Sequence, residues 1–169
     1  MAGIRYATLD LSATYTTSSL DAGQVRANGR IVMADYNGDG VPDLIYIQTH
    51  NTSDGNVAVQ VLSGASGYQT KMLKASVPFN AAAVVSNGFI TATDTDGDGK
   101  ADLAYVKELN TGSGNVELKV ASASSGYQAI APKVVTSLDG TNVQQNGKLL
   151  VGGADKCSIG FTLSVLYWR

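Results

Sequence analysis

Cysteine and histidine each occur once in this chain, as Cys157 and His50, tryptophan once, as Trp168, and proline three times. A lone cysteine excludes an internal disulfide and leaves the redox compartment open. It reads as a small buried hydrophobe, because a nucleophilic thiol needs a base and no motif joins His50 to it. Charge is scarce as well: 15% of residues are Asp, Glu, Lys or Arg, against about 25% in an ordinary soluble domain. The Lys and Arg residues form no cluster that would grip phosphates, so no nucleic-acid partner is expected. No apolar run reaches the ~20 residues of a membrane-spanning helix, and membrane insertion is not expected either. The opening MAGIRYATLD has no apolar stretch of the kind found in secretory signals. Helical periodicity is also missing, since apolar residues nowhere sustain a 3.6-residue spacing. No Ser/His/Asp set has motif support and no Gly-rich phosphate loop is present, so no catalytic residues are expected.

What is present is a β-type composition. Apolar residues make up 44% of the 169, glycine contributes 19, and the polar surface falls to Thr, Ser, Asn and Gln. The length suits one domain with its own core. Such a surface accords with an extracellular or cell-surface protein.

The chain repeats itself. Displaced by 59 residues, NGRIVMADYNGDGVPDLIYIQTHNTSDGNVAVQVLSGASGYQTKMLK (28–74) lies over NGFITATDTDGDGKADLAYVKELNTGSGNVELKVASASSGYQAIAPK (87–133) without a gap, and 22 of 47 positions are identical. Each copy reads as four strands. The first (31–34; 90–93) is apolar, and the second (43–48; 102–107) is rich in Leu, Ile, Tyr and Val. The third alternates Val57, Val59, Val61 with polar neighbours, and Val116, Leu118, Val120 likewise, which is the period of a half-buried antiparallel strand. A fourth is expected to start from the turns SGASGY and SASSGY. Residues 4–11 and 15–20 match the third and fourth strands at an offset of 53, while Asn146-Gly147 and the segment after it match the start of a third copy. The expected units are therefore 1–27 (half), 28–86, 87–145 and 146–169 (half). The two halves together make a third unit.

Two acidic loops, DYNGDGVPD (35–43) and DTDGDGKAD (94–102), separate the first and second strands. They hold seven of the 14 acidic residues. Calcium takes six to eight hard oxygen ligands, and carboxylates two residues apart let a tight loop aim alternate side chains at one centre. The expected ligands are Asp35, Asn37, Asp39, Asp43 and the Val41 carbonyl in the first loop. In the second they are Asp94, Asp96, Asp98, Asp102 and the Lys100 carbonyl. Two calcium ions per chain follow, and magnesium, which wants a tighter octahedron, fits less well. An EF-hand is excluded at the loop's twelfth position, where its bidentate Glu is replaced by Tyr46 or Tyr105.

The loop form D-x-[DN]-x-D-G-x-x-D, each time followed by Leu (Leu44, Leu103), resembles the FG-GAP/VCBS repeats of integrin-like β-propellers. The resemblance implies an all-β fold of four-stranded propeller blades, with the terminal half units forming a composite blade. The literal Phe-Gly and Gly-Ala-Pro marks are absent, with ANG and SNG standing at the first. A third copy with GGADKCSIG in place of its loop implies no third ion. Family members include lectin-like propellers and adhesion receptors, which implies a non-enzymatic module binding a glycan or cell-surface ligand, or else a scaffold in which calcium only rigidifies loops.

The polar turns 51–56 and 110–115 are the candidate ligand surface, with Asn51, Asn56, Asn110 and Asn115 at their ends. Asn51-Thr52-Ser53 is also a glycosylation sequon. The recurrent Tyr46/Tyr105 and Tyr68/Tyr127 read as rings packed between units, and Trp168 as a core plug. Unpaired edges on the half units predict a homodimer in which each chain completes the other's composite blade.

Overall fold

The computed structural model describes residues 20–152 and 162–167. Cys157, Trp168 and the segments 4–11 and 15–19 lie outside these. Two four-stranded antiparallel sheets form most of the molecule. The first runs β1 (Gly29–Ala34), β2 (Asp43–Gln48), β3 (Asn56–Leu62), β4 (Lys71–Asn80), and the second runs β5 (Gly88–Thr93), β6 (Asp102–Lys107), β7 (Asn115–Ala121), β8 (Val134–Asp139). In each sheet the spatial order is the order in sequence, as in a propeller blade. A hairpin of β9 (Gly147–Gly152) and β10 (Thr162–Tyr167) follows, with nine intervening residues where β1–β2 and β5–β6 have eight.

The fourth strands begin later than the turn sequences suggest. Gly67 and Tyr68, and Gly126 and Tyr127, all take positive φ, so the chain is still turning there. β4 starts three residues beyond Tyr68. In the second copy only an isolated bridge, Ala121 to Ile130, forms before Pro132, and β8 starts at Val134.

Three helices precede the first strands: α1 (Ala22–Asn28), α2 (Ala81–Asn87) and α3 (Gly140–Asn146). The absence of helical periodicity misleads here, because seven residues make only two turns and leave no pattern to detect. The signal lies in the cap and the exit instead. Asp21 Oδ1 accepts from Gln24 N–H at 2.7 Å, Asn80 Oδ1 from Ala83 N–H at 2.8 Å and Asp139 Oδ1 from Asn142 N–H at 2.6 Å. These are N-caps at the same place in each copy. Asn-Gly closes all three helices. The glycine is needed because its backbone presses on the neighbouring strand: a Cβ on Gly29 would lie 2.1 Å from the Ile47 carbonyl oxygen, and one on Gly88 1.9 Å from that of Val106.

The two sheets stack face to face. From the first, Ile45, Ile47, Val57, Val59, Val61 and Val77 turn inward against Ile90, Leu103, Tyr105 and Tyr127 of the second. The opposite face of the second sheet presents Val106, Val116 and Leu118 to Val143 and Leu149. Both faces of β6 are therefore covered, and its first five residues are all buried. Each fully buried Val, Leu or Ile contributes about 1.5–3 kcal/mol, so these two layers account for the stacking. Tyr105 and Tyr127 lie in the layer between sheets, as the tyrosine repeat suggests. Tyr105 Oη donates to the Ala83 carbonyl of α2 at 2.9 Å, and Tyr127 Oη to the Ala101 carbonyl at 2.8 Å. Their counterparts in the first copy, Tyr46 and Tyr68, lie outside the two core layers. Tyr46 is buried with its hydroxyl donating to the Gln24 carbonyl at 3.4 Å, and Tyr68 is half-buried. The outer face of the first sheet is covered only in part by the described residues. Ile31 and Met33 are 44% and 48% exposed, where their counterparts Ile90 and Ala92 are 0% and 9%.

Candidate functional site

The acidic loops leave β1 and β5 and return into β2 and β6, so strands flank both. Within each loop the backbone wraps its first aspartate. Asp35 Oδ1 accepts from Gly38 N–H at 2.7 Å and Oδ2 from Gly40 N–H at 2.7 Å, and Asp94 does the same with Gly97 at 2.7 Å and Gly99 at 3.0 Å. This wrapping needs positive φ at Gly40 and Gly99, 81° and 86°, which glycine adopts without steric cost. Asp39 Oδ1 and Asp98 Oδ1 accept from the N–H of Val41 and Lys100, each at 2.8 Å.

The last aspartate of each loop is buried and ties the loop to the turn between the third and fourth strands. Asp43 Oδ2 accepts from Tyr36 N–H at 2.9 Å and Oδ1 from Gly64 N–H at 2.8 Å. Asp102 Oδ2 accepts from the N–H and hydroxyl of Thr95, and Oδ1 from Ala123 N–H at 2.8 Å. Burial raises the Asp102 pKa above the usual carboxylate value, against these hydrogen bonds. Around Asp98 the balance is reversed. Desolvation pushes its pKa up, but the Ser124 hydroxyl, the Lys100 N–H and the Lys100 ammonium together hold it below the ordinary value.

The second loop brings carboxylate oxygens of Asp94, Asp96 and Asp102 within 4.8 Å of one another. Two oxygens on opposite sides of a calcium ion stand at most roughly 4.6–5.2 Å apart, twice the metal–oxygen distance. The three groups therefore fit one calcium shell. The first loop has the same layout with Asn37 at the place of Asp96. Asn37 Nδ2 donates to Asp39 Oδ2 at 2.9 Å, and its Oδ1 accepts from Asp39 N–H at 3.1 Å. This loop carries one carboxylate fewer, and it lacks the lysine (Lys100) of the second. The two loops also touch, since Ala101 N–H donates to the Asp35 carbonyl at 2.6 Å.

The four asparagines of the polar turns divide by role. Asn51 and Asn110, each at φ 52°, donate through Nδ2 to Asn28 Oδ1 and Asn87 Oδ1 at 2.6 Å. They staple their turns to the preceding helix, whose last carbonyl accepts from Thr49 and His50, or from Glu108 and Leu109. Asn28 and Asn87, which complete these staples, are the residues the sequence reading left without a role. Their recurrence before glycine was the available signal. Asn56 and Asn115 open β3 and β7. Asn56 N–H is held by Asp54 Oδ1 at 2.9 Å and Asn115 N–H by Ser113 Oγ at 3.2 Å.

Beside the first staple lies a cavity of about 530 Å³ between the first polar turn and α2, lined by Thr49, His50, Asn51, Thr52 and Val85 among others. It sits at the start of β1, and the acidic loop at its end. Six strand residues at roughly 3.3 Å each put roughly 20 Å between them.

In comparison with known proteins, the family model of the FG-GAP-like repeat matches residues 35–105, from the first aspartate of one acidic loop through the second loop into β6. Neither curated proteins nor solved structures gave a match.

Proposed function

We propose that this protein is a calcium-stabilised, non-enzymatic recognition module of β-propeller type, a reading supported by the match of residues 35–105 to the FG-GAP-like repeat. It acts outside the cell, holds two calcium ions per chain and takes carbohydrate on a cell or polymer surface as its ligand. The observation that carries the metal reading is the convergence of Asp94, Asp96 and Asp102 within a calcium shell, with its layout repeated by Asp35, Asn37 and Asp43. Asp39, Asp98 and the Val41 and Lys100 carbonyls complete the two ligand sets. An ion bound only by the native state stabilises it by mass action, and here it would also relieve the mutual repulsion of the clustered carboxylates.

The recognition reading draws on the cavity beside the first polar turn, whose hydroxyl and amide lining suits sugar hydroxyls. One observation favours a second reading, a scaffold in which calcium only rigidifies loops: the Asn51 and Asn110 amides are already engaged in staples. A glycan array probed with and without calcium separates the two. Calcium-dependent binding to any glycan class supports recognition, and a blank array beside a calcium-raised melting temperature supports the scaffold.

We further propose that two chains associate through their terminal half units, each completing the other's composite blade beside the outer face of the first sheet. Its support is the exposure of Ile31 and Met33 where the second copy buries Ile90 and Ala92.

A further inference from the structure

We propose that the recess at the start of β1 binds an acidic saccharide, with Arg26 and Arg30 receiving its carboxylate or sulfate and His50 and Thr49 its hydroxyls. This rests on the recognition reading above and specifies its ligand. The 530 Å³ cavity adjoins a second of about 270 Å³ lined by Arg26, Arg30, Thr49, His50 and Val85, and the two share Ala27, Thr49, His50 and Val85. The larger volume alone is within the roughly 300–1,000 Å³ of small-ligand sites. Among the described residues, no Asp or Glu lines either cavity. Neither arginine forms an ion pair among the described residues, where the one salt bridge is Lys133–Glu117. Arg30 is exposed at the rim of the recess, with enough of its side chain covered to lower its pKa from the ordinary guanidinium value while it stays charged. An unpaired, partly dehydrated guanidinium gains more from an incoming anion than a fully hydrated one does, and its planar fork matches carboxylate and sulfate oxygens.

The repeat itself argues that these charges are not there for folding. Moving 59 residues on, the staple is kept: Asn28, Gly29, Asn51, Thr52 and Gly55 become Asn87, Gly88, Asn110, Thr111 and Gly114. The basic residues are not kept, since Arg26, Arg30 and His50 become Val85, Phe89 and Leu109. The second copy builds the same helix, staple and strand without them. The apolar part of the lining (Ala27, Ala81, Ala82 and Val85) offers a surface for the C–H face of a sugar ring.

The test is calorimetry on the calcium-loaded full chain with four probes: a glucuronate-containing oligosaccharide, a sulfated one, a neutral one of the same length, and inorganic sulfate alone. The expected result is one site for at least one acidic oligosaccharide, about tenfold or more tighter than the neutral oligosaccharide and inorganic sulfate, as for loss of a charge-assisted hydrogen bond. Arg26→Val/Arg30→Phe, which installs the second copy's own residues, should remove that advantage and leave calcium stoichiometry unchanged. Arg30→Gln is the milder variant and should weaken the acidic probe alone. Equal affinity for acidic and neutral oligosaccharides, or binding by inorganic sulfate as tight as by the sugars, would overturn this inference while recognition stands. If no oligosaccharide binds at all, the inference and the recognition reading fall together.

Discussion

At the scale of single residues, buried polar groups are matched to partners, and the matches can be tested. Glu117 is 3% exposed and paired with Lys133 at 2.9 Å. The hydrogen bond from Lys133 and that ammonium's charge hold its pKa below the ordinary value, outweighing desolvation. A carboxyl whose folded pKa is depressed contributes stability above its unfolded pKa and loses it as pH falls through the folded value. Denaturant midpoints should therefore fall as pH drops below about 4.3, and Glu117→Gln should flatten that fall relative to wild type. Tyr127→Phe removes the donor to the buried Ala101 carbonyl and should cost about 1–3 kcal/mol in denaturant unfolding. Gly88→Ala pushes a methyl into the Val106 carbonyl and should cost about 1–3 kcal/mol or more. The clustering of Asp94, Asp96 and Asp102 was legible at this scale, because carboxylates at alternate positions before glycine have few uses other than a shared cation. The staple was not, because Asn-Gly is also ordinary turn chemistry.

Elements were legible in proportion to how much side-chain pattern they carry. β2 and β6 occupy the residues their apolar runs indicate, since burial of these strands leaves a continuous hydrophobic signature. The seven-residue helices carry no such signature. Their positions follow from the N-caps Asp21, Asn80 and Asp139 and from the glycine exits, read together at the 59-residue spacing. β8 shows the opposite effect: Pro132 delays a strand that the repeat alone would place earlier. The staple joins helix to turn within each copy, so Asn110→Ala should leave Asn87 without its partner and lower stability by about 1–2 kcal/mol. Calcium stoichiometry, measured in the same variant, should not change, because the staple and the loop lie at opposite ends of the sheet.

For the whole molecule, the repeat sets out a stacking rule. The face of one sheet that carries Ile45, Ile47 and Val59 receives the face of the next that carries Ile90, Leu103 and Tyr105. The outer face of the first sheet has the second kind of surface and only partial cover among the described residues, which is why association of two chains is proposed. Light scattering should give twice 17.5 kDa, and Ile31→Lys/Met33→Lys should return the mass to one chain. A wild-type monomer would remove the dimer without touching the calcium sites. The overall architecture was legible because repetition multiplies weak local signals. The homodimer expected from the unpaired edges of the half units depends on surfaces as well as on periodicity, and the mass in solution decides it.

The central claim is that each acidic loop holds one calcium ion, and titration calorimetry with calcium on the full chain tests it most directly. Two sites per chain are expected, with affinities on the order of 10⁻⁴–10⁻³ M if the loops behave as extracellular modules do. Asp96→Ala should leave one site. One site or none in the wild type, or two sites surviving in Asp96→Ala, would contradict the account.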